Sequence, residues 1–324
     1  MANLETTFAG LRLKNPLIAG SSGLTNSLKK IKDLEAAGVG AVVLKSLFEE
    51  QIEHHSGQLL DMSDYPEAAD YLNAYVRMNH LDTYIELIRS AKRECGIPIV
   101  ASINCYNLSG WTDFARTIQD AGADALELNV FVLNTEEFGE DSIEDAYIRI
   151  VRELKEIIHI PVVVKMAKNI GNLPALIGKL KALGADAAVL FNRSYQIDID
   201  INKLEIVSGP IFSEPADFGD TLRWTAIVSG SVPGFDLACS YGVHAWDDAI
   251  KGILAGASGI QLCSMLYRQG IEVVGEMLTC MEAWMLRNNY DCIEDFRGKL
   301  NYANIVHPSV YERVQFMKYF SNRK

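Results

Sequence analysis

Residues 120–128 read Asp-Ala-Gly-Ala-Asp-Ala-Leu-Glu-Leu (DAGADALEL), and versions of the stretch recur at 36–44 (AAGVGAVVL), 182–190 (ALGADAAVL) and 254–262 (LAGASGIQL). Each has the same order: the end of an amphipathic segment, a glycine, a small linker and a short apolar run. A glycine there can take the left-handed conformation that closes a helix without a Cβ penalty. The apolar run is continuous rather than alternating. A strand reads that way when both of its faces are covered, as in a parallel sheet. Each repeat is therefore a helix-to-strand junction of a βαβ unit.

Outward from these junctions the same alternation fills the chain. Strands are predicted at Pro16–Gly20, Ala41–Lys45, Pro98–Ile103, Ala125–Val130, Pro161–Met166, Ala187–Phe191, Phe235–Ser240 and Gly259–Cys263. Helices are predicted at Ser27–Ala37, Leu81–Cys95, Trp111–Ala121, Ile143–Ile158, Leu173–Leu183, Leu222–Ser229, Trp246–Ala255 and Val273–Arg287. Eight such units with right-handed crossovers close into an α/β fold of the (β/α)8 TIM-barrel type. The competing architecture is an open doubly wound sheet, but no strand opens onto a GxGxxG turn. The length of 324 residues suits one barrel domain over 1–324, with 303–324 as a C-terminal extension. Two long loops break the rhythm, Phe48–Asn79 after strand two and Arg193–Asp220 after strand six. Loops after strand ends lie on the barrel face where catalytic residues collect.

Composition narrows the function classes. Hydrophobic residues are 49%, charged residues 22% and the formal net charge is −12. So acidic a chain has no electrostatic footprint for nucleic acid or an anionic membrane. No run of about 18 apolar residues suggests a transmembrane helix. The opening MANLETTFAGLRLKNPLIAG has no basic region followed by an apolar block, so no signal peptide is read. The cysteines Cys95, Cys105, Cys239, Cys263, Cys280 and Cys292 are scattered without a CxxC pair, so neither zinc nor an iron–sulfur cluster is suggested. The expectation is a cytoplasmic, metal-free protein that handles a small molecule.

The chemistry-bearing signal is the polar residue that closes an apolar strand: Lys45, Asn104, Asn129, Lys165 and Asn192. A buried strand has no packing reason to end this way, so these side chains are expected to face a ligand. Lysine can stabilise negative charge arriving on a flavin, and asparagine offers paired donor and acceptor groups to an imide-like edge. Ser240-Tyr241-Gly242-Val243 and Cys263-Ser264-Met265 follow the last two strands, where barrels usually hold a phosphate. A strand-end lysine such as Lys165 is also compatible with Schiff-base chemistry of the aldolase kind.

These motifs resemble the dihydroorotate dehydrogenase family, nearest its soluble class 1, from about Leu4 to Leu300. TTFAGLRLKNPLIAGSSGLT is similar to the family's first strand and flavin-contacting turn, which implies that Ser22 and Gly23 touch the ring. VLKS and VVVKM resemble the lysine motifs of strands two and five, FNRS the asparagine motif of strand six, and DFRGKLNY the C-terminal signature. ELNVFVLN stands where the family has a motif ending ELNLSCPN. The resemblance implies bound FMN, oxidation of dihydroorotate to orotate, a homodimer, and substrate contacts from Asn129, Asn134 and Asn192. It implies flavin contacts from Ser22, Gly23, Lys45, Asn104, Asn129, Lys165, Asn192, Gly242, Val243, Cys263 and Ser264.

The chain departs from the family where a loop cysteine or serine removes a proton. That position is Val132, its neighbour is Phe131, and no Cys or Ser lies between Asn129 and Asn134. The family's NSMGLPN-type loop has no counterpart, and Asn73 is its nearest substitute. Cys105, with Lys45 and Asn129, is the candidate catalytic set; Thr135, Arg193, Glu49, Glu50, His54 and His55 are further candidates. Losing acid–base help costs about 10²–10⁴-fold in rate, so dihydroorotate oxidation is expected to be slow or absent. A flavin-binding barrel without dehydrogenase turnover is the alternative.

Overall fold

Gly38, Gly122, Gly184 and Gly256 adopt φ between +94° and +113°, so all four repeated junctions are left-handed helix caps. In the computed structural model, residues 2–48, 81–105, 111–130, 142–194 and 196–312 are described. Eight parallel strands follow: β1 (Leu17–Ala19), β2 (Ala41–Val43), β3 (Ile99–Cys105), β4 (Ala125–Val130), β5 (Val162–Met166), β6 (Ala187–Leu190), β7 (Asp236–Cys239) and β8 (Gly259–Leu262). They pair in chain order, β8 pairs with β1, and β2 pairs with β3, so the sheet closes on itself. The helices of the outer ring are α1 (Leu28–Ala37), α2 over 81–94, α3 (Trp111–Asp120), α4 (Ile143–Ile157), α5 (Leu173–Ala182), α6 (Phe218–Ser231) and α7 (Trp246–Ala255), then α8 (Ser264–Gln269) and α9 (Val273–Arg287) after β8. The (β/α)8 reading is the observed fold. No helix among the described residues is long and apolar enough to cross a membrane.

The junction aspartates explain how the barrel's lower edge is pinned. Asp124 accepts from the Ile99 amide at 2.7 Å and pairs with Lys92 of the preceding helix. Asp186 repeats the arrangement two units on, with the Val162 amide at 2.8 Å and Lys155 at 3.2 Å. Each carboxylate satisfies a strand N–H that has no ladder partner at the sheet's edge.

Alternate strand residues face opposite ways, and the two faces differ in kind. Outward residues such as Leu17, Val42, Leu126, Val164 and Leu237 pack beneath the helices. Inward residues form a second cluster of small side chains: Ile18, Ala41, Val43, Val100, Ala125, Val163, Ala187, Val189 and Ala238. A hairpin of Thr6–Phe8 and Leu11–Leu13 plugs the lower mouth with Phe8, Ala9 and Leu13. Both turn residues, Ala9 and Gly10, have positive φ, as tight two-residue hairpins require.

Three features differ from the sequence expectation. The loop after β6 contains a hairpin, Ile197–Asp200 paired with Glu205–Ser208, inside a stretch that reads as a long loop. Its Ile-Asp-Ile-Asp alternation is a strand pattern, masked by the surrounding turn residues. Helix α6 starts at Phe218, four residues before the predicted start. The third is a bulge. Val43 pairs with Val100 but Leu47 with Ile103, so β2 carries one extra residue there. Ser46, not Lys45, is thereby turned inward onto Ser102, with the two hydroxyls 2.8 Å apart. The chain entering the C-terminal extension runs along α6: Tyr302 N, just before the extension, donates to Ala226 O, and Arg223 Nε donates to Tyr311 O within it.

Candidate active site

Above the small apolar layer the barrel interior becomes polar. Glu127, Lys165 and Gln261 project inward from β4, β5 and β8, each under 10% exposed. Lys165 Nζ lies 3.0 Å from Gln261 Oε1 and 3.4 Å from Glu127 Oε1, and Gln261 Nε2 donates to Glu127 Oε2. Ser240 Oγ from the end of β7 donates to Gln261 Oε1 at 3.3 Å. A buried cation is tolerated only when paired and hydrogen-bonded, and this network supplies both. Ser21, Ser46 and Ser102 form a hydroxyl chain on the opposite side, and the Tyr84 hydroxyl of α2 accepts from Ser102 N.

One layer higher stand the strand-end asparagines. Asn104 and Asn129 are paired neighbours on β3 and β4, and Asn129 is paired with Lys165 on β5. Asn192 Nδ2 donates to Asn129 Oδ1 at 2.8 Å. Asn104, Asn129, Lys165 and Asn192 are thus brought to one mouth, as their positions predict.

A cavity of about 370 Å³ opens there, lined by Gly20, Ser21, Lys165, Asn192, Arg193 and Ser240, with Tyr241, Cys263, Ser264 and the 211–213 segment closing it. That volume suits a small ligand or cofactor. Ser213 holds the closing segment in place: its amide and hydroxyl both donate to Ser264 Oγ, and its Oγ lies 3.0 Å from His244 Nε2. Burial, with Arg268 nearby, holds the His244 pKa below its ordinary value. The ring is therefore kept neutral. The Cys263 thiol is pushed up by burial against the pull of Lys165, so it faces the cavity as a thiol. Gly242 has φ +86°, and a Cβ there would lie 2.2 Å from Phe218 N. Only glycine lets the β7 loop pass so close to α6.

Other predicted residues fall elsewhere. Because of the bulge, Lys45 lines a second cavity of about 410 Å³, between α1 and α2, with Ser27, Tyr84 and Leu87. Ser22 caps a short turn, Gly23–Thr25, by accepting from Leu24 N. Val243 is buried behind Gly242. Cys105 ends β3, but its side chain lies outside the described residues, as do Glu49, Glu50, His54, His55, Asn73, Phe131, Val132, Asn134 and Thr135. Glu127 and Gln261 escaped the sequence reading. Their signal was present: single polar residues at the centre of the apolar runs ALELNV and GIQLC.

Comparison with known proteins agrees with this geometry. A family model described as dihydroorotate dehydrogenase matches residues 3–285. The catalytic subunit of a dihydroorotate dehydrogenase B (NAD(+)) from Thermoplasma acidophilum is 30% identical over 92% of this chain and 99% of that protein. Its counterpart in Methanosarcina acetivorans is 27% identical, covering 89% and 93%. Escherichia coli K12 has an NAD-dependent dihydropyrimidine dehydrogenase subunit that is 24% identical over 94% of this chain and 78% of its own. With the family model covering most of the barrel, the chain belongs to the dihydroorotate dehydrogenase family.

Proposed function

We propose that this protein is an FMN-dependent oxidoreductase acting on a CH–CH bond of dihydroorotate or a related reduced pyrimidine. The observation that carries the reading is the convergence of Lys165 and Asn192 on one cavity at the C-terminal mouth of the barrel, with Asn129 beside them, paired with Lys165 in the sheet and hydrogen-bonded to Asn192. The donor set fits FMN. Lys165 and Arg193 offer positive charge, Ser21, Ser240 and Ser264 offer hydroxyls, and a buried Nη1 of Arg193 has no acceptor among the described residues. Lys165, Asn104, Asn129 and Asn192 would hold the ring, Ser22 and Gly23 its edge, and Gly242, Val243, Cys263 and Ser264 the phosphate; Lys45, which the β2 bulge turns to the second cavity, does not join them. When bound, FMN supplies a hydride acceptor.

The chain's own residues do the rest. Glu127 and Gln261 hold the Lys165 ammonium on the cavity floor, where it favours negative charge. The Asn192-to-Asn129 bond fixes both amides and turns the Asn129 NH₂ and the Asn192 carbonyl toward a ligand with paired donor and acceptor edges. The names of the relatives fit that ligand class, since they are dehydrogenases of dihydroorotate and of dihydropyrimidine. The test is the visible spectrum of the purified protein, followed by anaerobic dihydroorotate and dihydrouracil. A yellow protein that one of them bleaches supports the reading; a protein that takes up no FMN on titration ends it. Val132 at the base position favours a second reading, a flavin barrel without turnover, for which neither compound would bleach bound flavin.

We also propose a cytoplasmic homodimer joined through the hairpin after β6. Ile197, Ile199 and Ile206 share one face of this ribbon and are 60–74% exposed, with Ile201 and Leu204 at its tip 78% and 85% exposed. Asp198, Asp200 and Glu205 lie on the other face. An isolated two-stranded ribbon with a bare aliphatic face is marginal in water. The apolar surface, with Ile211 beside it, is on the order of the ~800 Å² per partner of a standard interface. Two copies can bury it face to face while their carboxylates point apart. Light scattering after size exclusion is expected to give twice the chain mass, and Ile199→Lys/Ile206→Lys half that mass with flavin content unchanged. A monomeric wild type disproves the dimer.

A further inference from the structure

We infer that Arg193 is an oxyanion-binding residue of the cavity, resting on the assignment of that cavity as the ligand site. The neighbouring cations are satisfied. Lys165 pairs with Glu127, Lys168 with Asp220 at 3.2 Å, and Arg268 with Glu214 at 2.5 Å. Arg193 has no such carboxylate among the described residues. One edge of its guanidinium is fixed, because Nη2 donates to the Pro210 carbonyl of the closing segment. The ring of Tyr241 supports it, with the guanidinium carbon 5.9 Å from the centroid. The other edge is open: Nη1 is buried without an acceptor among the described residues. The side chain lines the same cavity as Lys165, Asn192, Ser213, Ser240 and Ser264.

An arginine desolvated on one side, tethered on the other and lacking a counter-ion has the form of a site for an anionic oxygen. Water is a poor substitute, because a guanidinium presents fixed N–H directions that match carboxylate and phosphate geometry. The ligand class is therefore a phosphate monoester or a carboxylate, bound at Nη1 beside Asn192. Two molecules of the proposed reaction can supply it: the cofactor through its phosphate, or the substrate through a ring carboxylate.

Two ligand pairs that differ in one anion separate these sources. Flavin-free protein is titrated by calorimetry with FMN against riboflavin, and with orotate against uracil, for wild type, Arg193→Ala and Arg193→Lys. Losing one charge-assisted contact weakens binding by about 10–100-fold. Arg193→Ala is expected to weaken the anionic member of one pair by that factor and leave its neutral partner unchanged, with Arg193→Lys in between. A response of FMN alone assigns the phosphate, and of orotate alone the carboxylate. Equal losses for both members, or no loss in either pair, overturn the inference. If wild type binds neither flavin, the cofactor reading fails by itself, and the orotate pair and inorganic phosphate still test Arg193. Wild type that binds none of FMN, orotate and phosphate overturns the inference as well.

Discussion

Lys165→Met is expected to cost about 3–5 kcal/mol of unfolding free energy, the usual result of removing one partner of a buried ion pair. Glu127 is only 1% exposed, and its carboxylate is held by Lys165 and Gln261. Methionine matches the lysine stem in length but leaves that carboxylate in the barrel with a single amide for company. The side chains around it, on β4, β5 and β8, are packed on a close apolar layer that cannot open to admit solvent cheaply. Urea denaturation reads the loss as a shift in midpoint at constant slope. The double variant Glu127→Gln/Lys165→Met removes the stranded charge and is expected to regain most of the stability. Flavin affinity should not return with it, because the positive charge on the cavity floor is still absent. Stability in Lys165→Met within about 1 kcal/mol of wild type would falsify the view that Glu127 is ionised and dependent on Lys165.

The barrel was legible because its signals are local and repeated. A glycine cap followed by an apolar run depends only on adjacent residues, and Gly38, Gly122, Gly184 and Gly256 all behave as their context requires. Asn129, Lys165 and Asn192 were legible as a group because strand ends of a parallel barrel must converge on one rim. What was not legible depends on register across strands. The extra residue in β2 is invisible until Val43 and Leu47 are seen to pair with Val100 and Ile103, and it decides whether Lys45 or Ser46 enters the barrel. Glu127 and Gln261 come from strands far apart in sequence, so their partnership exists only after closure. The hairpin after β6 reads as a loop because turn residues surround its short alternating runs, and Ile197, Ile199 and Ile206 stay 60–74% exposed, so no core demands them.

Val132→Cys is expected to raise the rate of flavin reduction by dihydroorotate by about 10²–10⁴-fold, the range that a positioned general base contributes. Val132 follows β4 by two residues and lies outside the described residues. Its match to the family's motif is anchored in the sequence by Asn129, whose amide oxygen accepts from Asn192 at the mouth of the barrel. The family resemblance puts the proton-abstracting side chain at this position. Valine and cysteine are close in volume, so the change should not disturb packing. Stopped-flow absorbance of bound flavin gives the rate directly, and its pH dependence identifies the base. In Val132→Cys the rate should climb as the thiol ionises, because only the thiolate accepts a proton. Val132→Thr is the control: it keeps the branched shape and brings a poor base, so its rate should stay near wild type. A fast wild type would place the base elsewhere. Cys105 at the end of β3 is then the residue to replace, and loss of rate in Cys105→Ser would assign it. If Val132→Cys and wild type are equally inert to dihydroorotate while bound flavin is reduced by another saturated pyrimidine, valine is a specificity choice and not a lesion. The deciding quantity is the ratio of the two rates for each substrate, since a missing base slows every substrate that must lose a proton there, whereas a reshaped pocket slows one and spares another.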